Sequence, residues 1–122
     1  MSKSILVIED ETDLREVYKI VLSAQGYEVY TAKNGVEGIK QLTAHRPALL
    51  LLDLFMPIMD GKEFLRNIDV NDYSETTFVV FTNLSNKETE AEMLELGAHK
   101  VMLKASMTPQ QLAQFANETT GV

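Results

Sequence analysis

The chain contains no cysteine, which excludes disulfides and thiolate-held metals. Its only two histidines, His45 and His99, stand far apart in sequence. That argues against a histidine-rich zinc or iron site. No run of basic residues occurs, and the formal charge is −7; a chain this acidic repels nucleic acid and anionic membranes. Long apolar runs are missing too. The first, Ile5 to Ile8, is too short for a signal-peptide core or a membrane span. The expected compartment is therefore the cytoplasm. There is no linker, low-complexity tract or internal repeat. With 122 residues, 45% hydrophobic and 24% charged, the chain suits a single globular domain built on one core.

What is present alternates regularly. Ile5-Leu6-Val7-Ile8 is an unbroken apolar run of strand length, as expected of a parallel strand buried on both faces. Thr12 or Asp13 is placed to cap a helix in which Leu14, Val17, Tyr18, Val21 and Leu22 recur at helical spacing. Gly26 would end it in the left-handed conformation. Tyr27 to Ala32 reads as a second, more polar strand at the sheet edge. Asn34-Gly35 signals a turn before a second helix, with Val36, Ile39 and Leu42 on one face, and Pro47 punctuates.

Ala48 to Leu52 is the most hydrophobic stretch and reads as a central strand ending at Asp53. A loop with Pro57 and Asp60-Gly61 leads to a third helix, Lys62 to Ile68. Phe78 to Phe81 is a fourth strand, ending at Thr82. Lys87 to Leu96 is a helix closed by Gly97, and Val101 to Leu103 a fifth strand, ending at Lys104. Thr108 as N-cap and Pro109 at the first helical position open the last helix, with Leu112 and Phe115 facing the core.

Five strands alternating with five helices predict an α/β, doubly wound parallel sheet in the flavodoxin-like order 2-1-3-4-5. Ligands of such sheets bind beyond the carboxyl ends of the strands, where strand order reverses. The residues expected at those ends are Glu9-Asp10, Asp53, Thr82 and Lys104. Converging carboxylates repel one another, so one would protonate unless a cation compensates. An oxygen-preferring divalent cation such as Mg²⁺ fits a small acidic cluster, and Mn²⁺ could substitute. Lysine and threonine beside it would hold phosphoryl oxygens. A carboxylate can serve as the nucleophile and form an aspartyl phosphate.

The motifs Ile5-Leu6-Val7-Ile8-Glu9-Asp10-Glu11, Leu51-Leu52-Asp53-Leu54-Phe55-Met56-Pro57 with Asp60-Gly61, Phe81-Thr82 and Lys104 together resemble the response-regulator receiver family over essentially the whole chain. Each is weak alone; their order and spacing are jointly specific. The resemblance implies that Asp53 accepts a phosphoryl group from a histidine kinase or phosphotransfer protein. It implies that Glu9, Asp10, Asp53 and the Phe55 carbonyl hold Mg²⁺, and that Thr82 and Lys104 contact the phosphoryl oxygens. The product is a switch in affinity for a protein target, without direct DNA or membrane binding. Residues 1–122 would form one receiver domain without an output domain, a signalling phosphoacceptor that assists its own phosphorylation and dephosphorylation rather than an enzyme.

Three departures qualify the match. Ala105 follows the lysine where the family usually has proline, often after a cis bond. Val101 occupies the usual aromatic switch position. Asn83 replaces a small residue beside the threonine and would narrow access to the phosphoryl group.

Other readings fit less well. Glu9-Asp10-Glu11 alone could be a solvated helix start favoured by the dipole. Thr82 and Lys104 alone would be a loop hydroxyl and a surface lysine. A phosphohydrolase of the haloacid dehalogenase class needs a second aspartate where Phe55 stands. A flavodoxin-type flavin carrier needs a loop rich in Ser, Thr and Gly after the first strand, where five residues include four acids. A receiver that works by protein contact alone keeps the fold and drops the chemistry. His45 is expected at a helix C-terminus and His99 in a loop, neither catalytic. Tyr18, Tyr27, Tyr30, Phe78, Phe81 and Phe115 are expected in the core or at its rim.

Overall fold

A computed structural model describes residues 3–83 and 86–121. Five strands form one parallel sheet in the order 2-1-3-4-5: β1 (Ser4–Ile8), β2 (Glu28–Ala32), β3 (Leu49–Leu52), β4 (Thr77–Thr82) and β5 (Lys100–Leu103). The helices between them are α1 (Thr12–Ala24), α2 (Gly35–His45), α3 (Gly61–Arg66), α4 (Lys87–Glu95) and α5 (Pro109–Thr120). The alternation and strand order are those expected. Among the described residues, no helix is long and apolar enough to cross a membrane.

The unbroken apolar runs are explained by helices on both faces. Alternate residues of β1 and β3 point to opposite sides. Leu6, Ile8, Leu50 and Leu52 join Leu42, Phe64 and Met93 in one core. Ile5, Val7, Leu49 and Leu51 join Tyr18, Leu22 and Leu112 in the other. The sequence reading of one core therefore becomes two, one on each side of the sheet. β2 is more exposed, as an edge strand should be.

Most helix ends follow local chemistry. Asn34 caps α2 by accepting from the Glu37 N–H, and Thr108 forms a reciprocal capping box with Gln111. Gly26 and Gly97 take positive φ after α1 and α4. The α1 cap differs from expectation. Glu11 holds the cap position with no side-chain hydrogen bond, and Thr12 is already helical. The Glu11 N–H is taken by the Glu9 carboxylate at 3.1 Å, so the site determines this helix start.

The third helix stops at Arg66 rather than Ile68, because Asn67 turns its amide back onto the Glu63 carbonyl at 2.7 Å. Val36 lies at the rim of the α2 apolar face, 38% exposed, whereas Leu42 is fully buried. Two short 3-10 segments, Val70–Tyr73 and Lys104–Ser106, were not foreseen. The second contains the Lys104–Ala105 bond, which is trans. With alanine there, the loop turns after β5 without a proline.

His45 ends α2 and stacks on Tyr30, ring centroids 3.6 Å apart. His99 does more than fill a loop. Its Nδ1 accepts the Phe78 N–H at 2.9 Å, and the His99 backbone N–H donates to the Phe78 carbonyl at 2.8 Å. The imidazole stands in for a strand partner just before β5 begins.

Candidate functional site at the carboxyl edge of the sheet

The ladder delivers the site. Ile8 pairs with Leu52, so Glu9 and Asp53 leave adjacent strands side by side. The Asp53 N–H donates to the Ile8 carbonyl at 3.1 Å, and the Glu9 N–H to the Ala32 carbonyl at 2.9 Å. On the other flank Thr82 pairs with Leu103, bringing Lys104 to the same edge.

Glu9 and Asp53 are buried, while Asp10 is exposed. Carboxylate oxygens of all three lie within 4.8 Å of one another. The Lys104 ammonium, its side chain 8% exposed, donates to Asp53 Oδ2 at 3.0 Å and to Glu9 Oε1. One cation thus bridges two buried anions. Arg15 braces the turn from outside, donating to the Glu9 carbonyl at 2.9 Å and the Asp10 carbonyl at 3.3 Å.

The electrostatics follow from burial. Burial pushes the Glu9 carboxyl above its usual range, against the hydrogen bond from Lys104 that pulls it down. Burial also pulls Lys104 down, but its bonds and charge attraction to Glu9 and Asp53 together outweigh this and hold its pKa above 10.5. Tyr18, buried beside the cluster, is raised chiefly by burial.

The loop after β3 is held against Asp53 by an absence. A Cβ at Gly61 would run into the Asp53 carbonyl and lie 2.9 Å from Leu54 Cα. Only glycine lets α3 start this close, with its N–H on the Leu54 carbonyl at 2.9 Å. Asp60 then caps α3 in a capping box with Glu63.

Of the residues picked from sequence, the structure brings Glu9, Asp10, Asp53 and Lys104 into one cluster. Thr82 ends the neighbouring strand, fully buried. Phe55 follows two residues after Asp53, its ring 60% exposed. Asn83 is exposed and lines a 280 Å³ pocket with Tyr18 and Lys104. Val101 is half-buried, packed against the Leu6–Phe64 core. Sequence reasoning missed Arg15, whose position one turn into α1 was the available signal, and took Tyr18 only as core.

The donor set suits a hard cation. Every ligand offered is oxygen, and a divalent ion among the three carboxylates would offset the charge that Lys104 alone leaves uncompensated.

Comparison with known proteins agrees with this geometry. Residues 5–117 match the family described as the response regulator receiver domain. The sporulation initiation phosphotransferase F of Bacillus subtilis is 33% identical over 98 residues, 80% of this chain and 78% of that protein. The transcriptional regulatory protein SrrA of Staphylococcus aureus is 29% identical over 85% of this chain, which spans only 42% of its length. Among solved structures, a CheY-like response regulator receiver domain protein from Methanospirillum hungatei superposes with a TM-score of 0.87 at 25% identity, covering 99% of this chain and 95% of that one.

Proposed function

Since this chain belongs to the response regulator receiver domain family, we propose that it is a phosphorylation switch whose acceptor is Asp53. The observation that carries this is the Lys104 ammonium, which joins Asp53 and Glu9 in one cluster with Asp10 alongside. A surface ion pair would not explain two carboxylates and a lysine buried at a strand end, because burying them is costly.

In this reading an Asp53 oxygen attacks the phosphorus of a phosphohistidine on a histidine kinase or phosphotransfer protein. The O–P bond forms as the P–N bond breaks, and the imidazole leaves. Glu9, Asp10, Asp53 and the Phe55 carbonyl would hold Mg²⁺, or Mn²⁺ in its place. That ion, when bound, supplies charge neutralisation for the phosphoryl oxygens. Lys104 is already aimed at Asp53, so it meets the incoming oxygens with little reorganisation. Thr82 provides a hydroxyl at the neighbouring strand end. The same groups assist hydrolysis, which resets the switch.

Output passes to a protein target in the cytoplasm through repacking of the loops after β3 and β4 and the α4–β5–α5 face. A near-complete swing requires about 5 kcal/mol of differential binding. Val101 cannot report that movement by ring rotation.

The test is intact mass after incubation with acetyl phosphate, with and without Mg²⁺, on the parent and Asp53→Ala. A gain of one phosphoryl group that needs both Mg²⁺ and Asp53 is expected. No gain under any condition would leave a receiver that works through protein contact alone.

A further inference from the structure

Tyr18 stands where two spaces meet. On one side is the tight crevice around Glu9, Asp53 and Lys104, which leaves no room for a water molecule. On the other is the 280 Å³ pocket toward Asn83, Ala105 and Met107. Tyr18 and Lys104 are the two residues that line both. The Tyr18 ring is itself fixed from behind: it packs on Phe81 with centroids 5.6 Å apart and is 8% exposed.

Lys104 has a long flexible stem, and its 3-10 turn ends in the exposed residues Ala105 and Ser106. A cation entering among the carboxylates would compete for Glu9, so the ammonium must then choose between a phosphoryl oxygen on Asp53 and water in the outer pocket. A ring filling the boundary removes the second choice. We infer that Tyr18 is a positioning residue for Lys104, its ring closing the route by which the ammonium would leave Asp53 for the outer pocket. This rests on the phosphoacceptor reading above. It gives α1 a second part at the site, beside the bracing of the Glu9–Asp10 turn by Arg15.

The ring, and not the hydroxyl, carries the effect. Tyr18→Phe is therefore expected to take phosphate from acetyl phosphate and Mg²⁺ at close to the parent rate. Tyr18→Leu keeps an apolar core side chain but opens the boundary. It is expected to lower the saturating rate about tenfold, with half-saturation by acetyl phosphate unchanged, since a small misplacement of a catalytic group has effects of that order. In a Lys104→Ala background the same Tyr18→Leu change is expected to do nothing further, because residues acting through one group are not additive.

Rates come from intact-mass time courses, with thermal unfolding confirming that each variant is folded. A Tyr18→Leu protein as fast as the parent overturns the inference, as does a Tyr18→Phe protein as slow as Tyr18→Leu. So does a full tenfold loss that persists without Lys104. Failure of the parent itself to gain a phosphoryl group would instead sink the reading on which the inference rests.

Discussion

Two polar clusters, each partly buried, sit at opposite edges of the sheet, and they differ in kind. At the amino edge the Tyr27 hydroxyl meets Asn117 Oδ1 at 2.7 Å and Thr120 Oγ1 at 2.8 Å, and Lys3 reaches the Thr120 carbonyl. All but the lysine are neutral, and each finds its partner within the fold. At the carboxyl edge, the Lys104 ammonium pairs with Glu9 and Asp53, and the Asp10 carboxylate lies alongside them. The first cluster is complete as it stands and ties α5 to the sheet. The second keeps surplus negative charge, the feature on which the proposed cation and phosphoryl site rests.

The sharpest way to break the contrast is Asp53→Ala. Phosphorylation should vanish in the mass assay while the circular dichroism spectrum stays that of the parent. Labelling that persisted would move the acceptor elsewhere. Next comes Lys104→Ala, which should slow phosphorylation by roughly a hundredfold, the scale of removing one preorganised charge-stabilising donor.

At the other edge, Tyr27→Phe should cost about 1–3 kcal/mol in urea unfolding, since Asn117 and Thr120 lose a buried partner. It should leave the phosphorylation rate unchanged. A rate effect there would show that the two edges are coupled.

The carboxyl edge should also respond to pH. The Glu9 carboxyl is raised by burial, so the folded state binds its proton more tightly than the unfolded chain does. Its stabilising contribution is present below pH 4.5 and lost as pH rises through the higher folded value. Glu9→Gln should therefore flatten that decline in a series of urea melts. Lys104, also raised, should lose its contribution only above pH 10.5. The smallest effect expected is at the rim. Asn83→Ala should shorten the phosphoryl lifetime by a few-fold if the amide restricts water, read from the decay of the phosphorylated mass.

The carboxyl edge was legible in the sequence because parallel strands end in register. Once Ile5–Ile8 and Ala48–Leu52 were read as buried strands, Glu9 and Asp53 had to emerge together. The amino edge was not legible. Tyr27, Asn117 and Thr120 are joined only by tertiary packing between the residue that precedes β2 and the end of α5, across 90 residues of chain. The α1 start was misplaced for a related reason: Thr12 and Asp13 are good local caps, but the Glu9 carboxylate claimed the Glu11 N–H first. Tyr18 fitted a helical apolar stripe so well that its second neighbour, Lys104, left no mark in the periodicity.

Gly61 has a consequence for how this chain can change over time. Position 61 bears no reactive group, yet any side chain there would collide with the backbone of Asp53, the proposed acceptor. In a scan of all substitutions, scored by phosphorylation, this glycine should rank beside Asp53 in intolerance. Its neighbour Asp60, the N-cap of α3, should accept Asn or Ser, which cap a helix nearly as well.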